Sequence, residues 1–243
     1  MRLLVSVRDP DEVGQALAGG ADIVDAKDPD SGPLGPVPLP RLRAIAARVP
    51  AGVPFSLALG DPRGGPEVVR AIESLATLPG PGPAFIKIGF LGAREADAAA
   101  LLEAAVAAAR SLPAPAGVVA VAYADADGAA PRPEAILDCA ARAGARGVLL
   151  DTVRKDGGTL LDRFGAGELG AWVARVRGEG LLAAVAGRLR AEHIPPVAQT
   201  GADVVGIRGA GCAGDRGSRL VARKVRSVRI ALDRALAGAG HQG

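Results

Sequence analysis

Four lysines, Lys27, Lys87, Lys155 and Lys224, stand in a chain that carries 25 arginines. A solvated cation tolerates exchange of lysine for arginine, so a lysine kept against that background points to a place that needs an amine. A guanidinium holds its proton at working pH and forms no Schiff base, whereas a desolvated ammonium can lose its proton and attack a carbonyl. Two of the lysines have a carboxylate at short spacing: Asp25 in Asp25-Ala26-Lys27, and Asp151 in Asp151-Thr152-Val153-Arg154-Lys155. A third, Lys87, sits between isoleucines in Phe85-Ile86-Lys87-Ile88-Gly89. An amine among other cations and away from water has a lowered pKa and attacks an aldehyde or ketone. A second lysine then moves the proton on the carbon beside the imine, while carboxylates orient the amines and assist loss of water. This is class I aldolase-type chemistry.

Such residues need elements to aim them. Short apolar runs bounded by Gly, Pro or Asp alternate with stretches of helical spacing, and the alternation repeats eight times. Strands are predicted over residues 3–7, 22–27, 54–59, 85–90, 118–124, 147–151, 182–186 and 204–208. Helices are predicted over residues 11–18, 39–48, 66–78, 94–111, 133–142, 168–178, 191–199 and 218–236. The strands are continuously apolar, as a parallel sheet covered on both sides requires. Three of them are entered by similar phrases, Gly-Gly-Ala-Asp-Ile-Val-Asp from Gly19, Ala-Gly-Ala-Arg-Gly-Val-Leu-Leu-Asp from Ala143 and Thr-Gly-Ala-Asp-Val-Val-Gly from Thr200. Each is a helix-ending glycine feeding a buried strand. Eight units in this length match a single-domain (β/α)8 TIM barrel over residues 1–236, with a C-terminal tail at 237–243. A doubly wound open sheet is the alternative should one strand fail.

Active sites of such barrels lie at the C-terminal ends of the strands. Asp25 and Lys27 end the second strand on one face, Lys87 must face the lumen because Ile86 and Ile88 face the helices, and Asp151 ends the sixth. Alternate strands share lumenal layers, so Asp25, Lys27, Lys87 and Asp151 are predicted to meet over one small space. The plainer reading of Lys87 and its carboxylate is a buried ion pair that fills the barrel. Lys155 lies in the following loop, as a site residue or a solvated one, and Lys224 belongs to the basic last helix as a surface residue. The loops after the seventh and eighth strands, Ala186-Gly187-Arg188 and Arg208-Gly209-Ala210-Gly211 onward to Arg216, have the glycines of a phosphate cradle, with Arg208 as its cationic clamp. Gly209 to Gly214 spells G-x-G-x-x-G, but a dinucleotide fold needs a further strand after the helix, and the chain has none.

The rest of the composition excludes other classes. With 49% hydrophobic and 23% charged residues and a net charge of +3, the 243 residues are globular rather than disordered. No uncharged run approaches the roughly 20 apolar residues of a bilayer-spanning helix, and the N-terminus has no room for a signal peptide's apolar core. Two cysteines form no disulfide framework and suggest a reducing cytoplasm, with Cys139 in helix core and Cys212 as packing. His193 and His241 lack a third ligand, so no metal site is expected. One Trp and one Tyr make no stacking platform, and the arginines are interspersed with carboxylates, so neither nucleic acid nor membrane is an expected partner. An arginine-studded surface with alanine-rich helices is compatible with a homo-oligomer.

Four phrases together resemble one family. Ala-Asp-Ile-Val-Asp-Ala-Lys-Asp-Pro from Ala21 with Leu34-Gly35, Phe-Ile-Lys-Ile-Gly from Phe85, Leu-Leu-Asp-Thr-Val-Arg-Lys-Asp-Gly-Gly-Thr-Leu from Leu149 and Val-Val-Gly-Ile-Arg-Gly-Ala from Val204 are similar to the (5-formylfuran-3-yl)methyl phosphate synthases of methanofuran biosynthesis. The resemblance runs nearly end to end, in order and with similar spacing. It implies a TIM barrel that condenses two molecules of glyceraldehyde 3-phosphate, a small phosphorylated triose, into a furan aldehyde phosphate without a cofactor, releasing one phosphate and two waters. It further implies that Lys27 forms the Schiff base, that Lys87 is the proton acceptor, that Asp25 is the carboxylate beside the imine, and that Asp151 and Lys155 are further active-site residues. Two departures stand out: Arg188 where the family pattern has a serine, and Asp28 where an asparagine is common. An ordinary Schiff-base aldolase or transaldolase-like enzyme on another sugar phosphate is the second reading, and a catalytically silent barrel that binds a phosphorylated ligand is the third.

Overall fold

Eight short apolar runs, buried against helices on one side and the lumen on the other, become strands in the computed structural model, which describes residues 1–154 and 157–239. They are β1 (Arg2–Val7), β2 (Ile23–Ala26), β3 (Phe55–Ala58), β4 (Phe85–Ile88), β5 (Gly117–Tyr123), β6 (Gly147–Asp151), β7 (Leu182–Val185) and β8 (Val204–Ile207). Every neighbour pair is parallel, and β8 pairs back onto β1 from Arg2↔Val204 to Val5↔Ile207, which closes the barrel. That last ladder excludes the open doubly wound sheet.

The helices are α1 (Asp11–Ala18), α2 (Leu39–Ala46), α3 (Gly65–Ser74), α4 (Glu95–Arg110), α5 (Pro133–Ala143), α6 (Leu160–Arg163), α7 (Ala166–Gly178), α8 (Ile194–Gln199) and α9 (Ala222–Ala239). None is long and apolar enough to cross a membrane. The outer core lies between strands and helices. On β4, for instance, Ile86 and Ile88 are fully buried in that layer, and Ala98, Leu101, Leu102 and Ala105 form the helical stripe of α4 in the same cluster. Side chains alternate along a strand, so this packing turns Lys87 into the lumen. The three recurrent strand entries carry left-handed glycines, Gly20 (φ +95°), Gly144 (φ +68°) and Gly201 (φ +75°). The turn from helix to strand takes a backbone shape there that a side chain would strain.

Several boundaries differ from the sequence expectation, each for a local reason. Residues 218–221 do not begin the last helix. They fold back on the preceding loop, with an antiparallel bridge between Cys212 and Leu220 and a hydrogen bond from Val221 N to Gly211 O (2.8 Å), so α9 starts at Ala222 and runs on to Ala239. The stretch at 191–199 opens as a 3-10 turn (Ala191–His193). The α-helix begins only at Ile194, because Pro195 and Pro196 fit the first turn alone. A short helix that periodicity did not suggest, α6, is nucleated by a capping box between Thr159 and Asp162.

The seam between β8 and β1 is locked by a buried ion pair. Arg208 donates through Nη1 and Nη2 to the Glu12 carboxylate (2.7 and 3.2 Å), and its other three N–H groups go to the carbonyls of Ser6, Arg216 and Ser218. The same Glu12 carboxylate accepts from the backbone N–H groups of Arg8 and Leu220. Burial works to raise the Glu12 pKa, but the bonds from Arg208 and from these N–H groups outweigh it and hold the carboxyl below its ordinary value. A carboxyl lowered in the fold contributes stability above its unfolded pKa and loses it as the pH falls through the folded one. Glu12→Gln should therefore lower the unfolding free energy at pH 7 by about 3 kcal/mol, since it strands a buried guanidinium. In denaturant titrations the gap between variant and wild type should close as the pH drops through the carboxylate range.

Candidate active site

The site grows from a row of lumenal side chains on neighbouring strands. Ser6 on β1 pairs in register with Asp25 on β2, and Asp25 with Ser56 on β3. Lys87 reaches across from β4. Its ammonium donates to Asp25 Oδ2 at 2.7 Å, and Ser6 Oγ donates to the same oxygen at 2.8 Å. Burial pushes the Asp25 pKa up, yet the charges of Lys87 and Lys27 together with the two hydrogen bonds bring it below the usual value, so the carboxylate is ionised.

Lys27 follows directly on β2, and its backbone N–H still bonds the Val7 carbonyl (2.9 Å), which fixes its direction over the lumen. Among the described residues its amine makes no hydrogen bond or ion pair. Burial brings its pKa down to about 8, aided by the positive charges of Lys87 and Arg216 and opposed by Asp151 and Asp25. Asp151, buried at the end of β6, uses Oδ1 to accept its neighbour Thr152 N (2.8 Å) and lines the same cavity as Lys27 and Lys87. The structure thus brings together Asp25, Lys27, Lys87 and Asp151. Lys155 lies outside the described residues. The loop leading to it is pinned by Asp125, whose carboxylate accepts the N–H groups of Val153 and Arg154 (2.6 and 3.1 Å).

The cavity holds about 810 Å³ and runs through the lumen, from Leu4, Ile23, Phe85 and Val204 to the loops at the mouth. Over β3 to β5 Leu34, Val121 and Tyr123 cluster with Ala58, and the Tyr123 hydroxyl donates to Asp61 (2.8 Å). Open space runs beneath the loops that follow β6, β7 and β8. There Gly187, Arg188, Gly209 and Ala210 line the wall. Gly187 (φ +119°) passes so close to Thr152 that a Cβ would lie 2.9 Å from the threonine methyl, and Arg188 holds a left-handed backbone (φ +55°) uncommon outside glycine. Gly211 does not reach the cavity, since it packs beneath Leu220 and Val225.

Arg208 differs from its expected role. All five of its N–H donors are engaged within the protein, so its guanidinium is a structural lock rather than a phosphate clamp. The cation that this loop offers instead is Arg216, which lines the cavity while its Nη2 donates to the carbonyls of Pro29 and Gly32. Sequence reasoning passed over Arg216, whose one signal was its place at the end of the glycine-rich loop. Lys224 stands at the rim, donating to the Ala213 carbonyl (3.2 Å). Asp28, the other departure from the family pattern, is answered locally, since it caps the following 3-10 turn through Asp30 N and pairs with Arg41 (3.1 Å). Among the described residues no cluster of His, Cys, Asp or Glu could hold a metal ion.

Comparison with known proteins gives the family and the fold. The family model described as 4-HFC-P synthase matches residues 3–229. The (5-formylfuran-3-yl)methyl phosphate synthase of Methanothermobacter thermautotrophicus is 38% identical over 236 residues, covering 96% of this chain and 99% of its own length. The protein of the same name from Methanocaldococcus jannaschii is 36% identical over 228 residues, 93% of this chain and 96% of its own. Among solved structures, a KGPDC from Streptococcus mutans superposes with a TM-score of 0.66 at 14% identity, covering 96% of this chain and 98% of that one. The 3-hexulose-6-phosphate synthase of Salmonella typhimurium gives 0.62 at 18% identity, with 96% and 100% covered. These structures share the barrel alone. A match to the family model across almost the whole chain, with relatives of this identity and coverage, places the protein in the 4-HFC-P synthase family.

Proposed function

We propose that this enzyme condenses two molecules of glyceraldehyde 3-phosphate into (5-formylfuran-3-yl)methyl phosphate, with release of one phosphate and two waters, through an imine on Lys27. The relatives that carry this name support the synthase reading. One observation carries the mechanism: of two neighbouring lumenal amines, Lys87 is bonded to Asp25, while Lys27 is unpaired among the described residues and brought down to a pKa of about 8. A neutral fraction of Lys27 is therefore present near pH 7, free to add to an aldehyde.

Addition of the Lys27 amine gives a carbinolamine, and loss of water gives the imine. The iminium cation makes a proton on the adjacent carbon acidic, and Asp151 stands near enough to offset its charge. Lys87 is the acceptor for that proton, with Asp25 as the group to which it passes its own. The resulting carbon nucleophile joins the second triose. Arg216, Arg188 and the backbone of Gly187, Gly209 and Ala210 form the phosphate cradle, with Gly211 as support behind it, and Arg188 supplies charge where the family pattern has a hydroxyl. Lys155 joins the site by resemblance alone. The balance closes: two trioses carry six carbons and two phosphates, and the furan keeps all six carbons with one phosphate.

Incubation with glyceraldehyde 3-phosphate should produce a furan absorbance together with inorganic phosphate, and Lys27→Ala should abolish both; their persistence in that variant refutes the imine. Mass spectrometry of the product separates this reaction from a plain aldolase, whose product keeps both waters. Because only the neutral amine adds, borohydride-trapped adduct on Lys27 should form about ten-fold faster per pH unit as the pH approaches 8, then level off. Arg216→Ala should raise the KM for the triose phosphate by about ten-fold, as loss of one charge-assisted hydrogen bond predicts.

A further inference from the structure

Two buried side-chain atoms in the described lumen lack a hydrogen-bond partner, Asp25 Oδ1 and Ser56 Oγ. They belong to residues paired in register on adjacent strands, both wholly buried, and Ser56 also lines the cavity. On the other flank of Asp25, Ser6 occupies the matching position on β1 and already donates to Oδ2. One carboxylate oxygen therefore holds both a hydroxyl and an ammonium, while the other holds no donor. An ionised carboxylate can only accept, and a serine hydroxyl can rotate to donate. Native interiors rarely leave such a pair unmatched.

We propose that Ser56 is a positioning residue for Asp25: its hydroxyl turns onto Oδ1 and favours the ionised carboxylate, so that the proton Asp25 takes from Lys87 is handed back. The charged groups that face Asp25 are Lys87 from β4 and Lys27 from the end of its own strand, whereas β1 and β3 offer only the hydroxyls of Ser6 and Ser56. When Lys87 hands over its proton, Asp25 loses the nearer of its two cations. A donor on each oxygen then decides whether the carboxylate can return that proton or keeps it. The catalytic part of this inference rests on the imine reading above; the hydrogen bond does not.

The test compares wild type with Ser56→Ala and Ser56→Thr, whose extra methyl has the cavity to enter. In the free protein, the Asp25 carboxyl is titrated by 13C NMR, its resonance assigned by loss in Asp25→Asn. A hydroxyl bonded to the charged form lowers the pKa, so Ser56→Ala should move the midpoint up by about one pH unit and lower Tm by about 3 °C, with Ser56→Thr restoring both. The acid limb of the rate of phosphate release should move up with it, and kcat should fall about ten-fold with KM unchanged. An unchanged midpoint with an unchanged or higher Tm in Ser56→Ala overturns the proposal, because removing an unpartnered hydroxyl costs nothing. Should Ser56→Ala fail to fold, Ser56→Cys, a weak donor of similar shape, is expected to give an intermediate midpoint, and a wild-type midpoint there overturns the proposal equally. Absence of any trapped Lys27 adduct in wild type would refute the imine reading alone, since the carboxyl titration still decides the Ser56 bond.

Discussion

Among the described residues the lumen of this barrel contains one fully buried carboxylate and two amines, and that inequality organises the site. Asp25 is ionised inside the protein because Lys87 and Ser6 bond it and Lys27 adds its charge, and Lys87 is buried with Asp25 as its counter-ion. The bond satisfies one lysine and excludes the other. Lys27, held over the lumen by the backbone register of β2 with β1, is left to feel the burial and the surrounding cations without a described partner of its own. A second carboxylate bonded to Lys27 would favour its charged form and raise its pKa again. Asp151 stays at the distance of a field rather than a contact, its Oδ1 occupied by Thr152 N.

Around this centre the two halves of the mouth are treated differently. Over β3 to β5 the segment after β2 brings Leu34 into a buried apolar cluster with Tyr123 and Val121. Over β6 to β8 the wall is made of Gly187, Gly209, Ala210 and the left-handed Arg188, with Arg216 beside it. Arg208 lines the open half too, but its donors are spent on holding that half together. By bonding to Glu12 and to the carbonyls of Ser6, Arg216 and Ser218 it ties the loop after β8 to β1 and α1, so the loop can be glycine-rich and still hold one shape.

Most of the architecture was legible in the sequence, because eight short apolar runs and the helices between them are local patterns. The meeting of Asp25, Lys27, Lys87 and Asp151 was legible for the same reason: the parity of residues along a strand and the alternation of strands around a barrel turn linear spacing into position. Arg208 was misjudged and Arg216 missed because nothing local separates them. The partner that consumes Arg208 is Glu12, 196 residues away, and one arginine looks like another until the closed ladder from β8 to β1 chooses between them. Ser56 carried no signal either, since a lone serine in an apolar strand acquires meaning only from the carboxylate on the next strand. The late start of α9 at Ala222 was hidden by a chain reversal that keeps helical composition while spending its backbone bonds on the loop before it.

The lock between Arg208 and Glu12 joins the last strand made to the first helix made, and Arg216 belongs to the same late segment. During synthesis, therefore, Lys27 emerges long before the cation and the enclosing wall that weaken its hold on a proton. Until the eighth strand closes the seam, that side chain lacks the burial and the cation that lower its pKa. The lowered pKa of Lys27 is thus a property of the closed ring, complete only when the last strand pairs with the first.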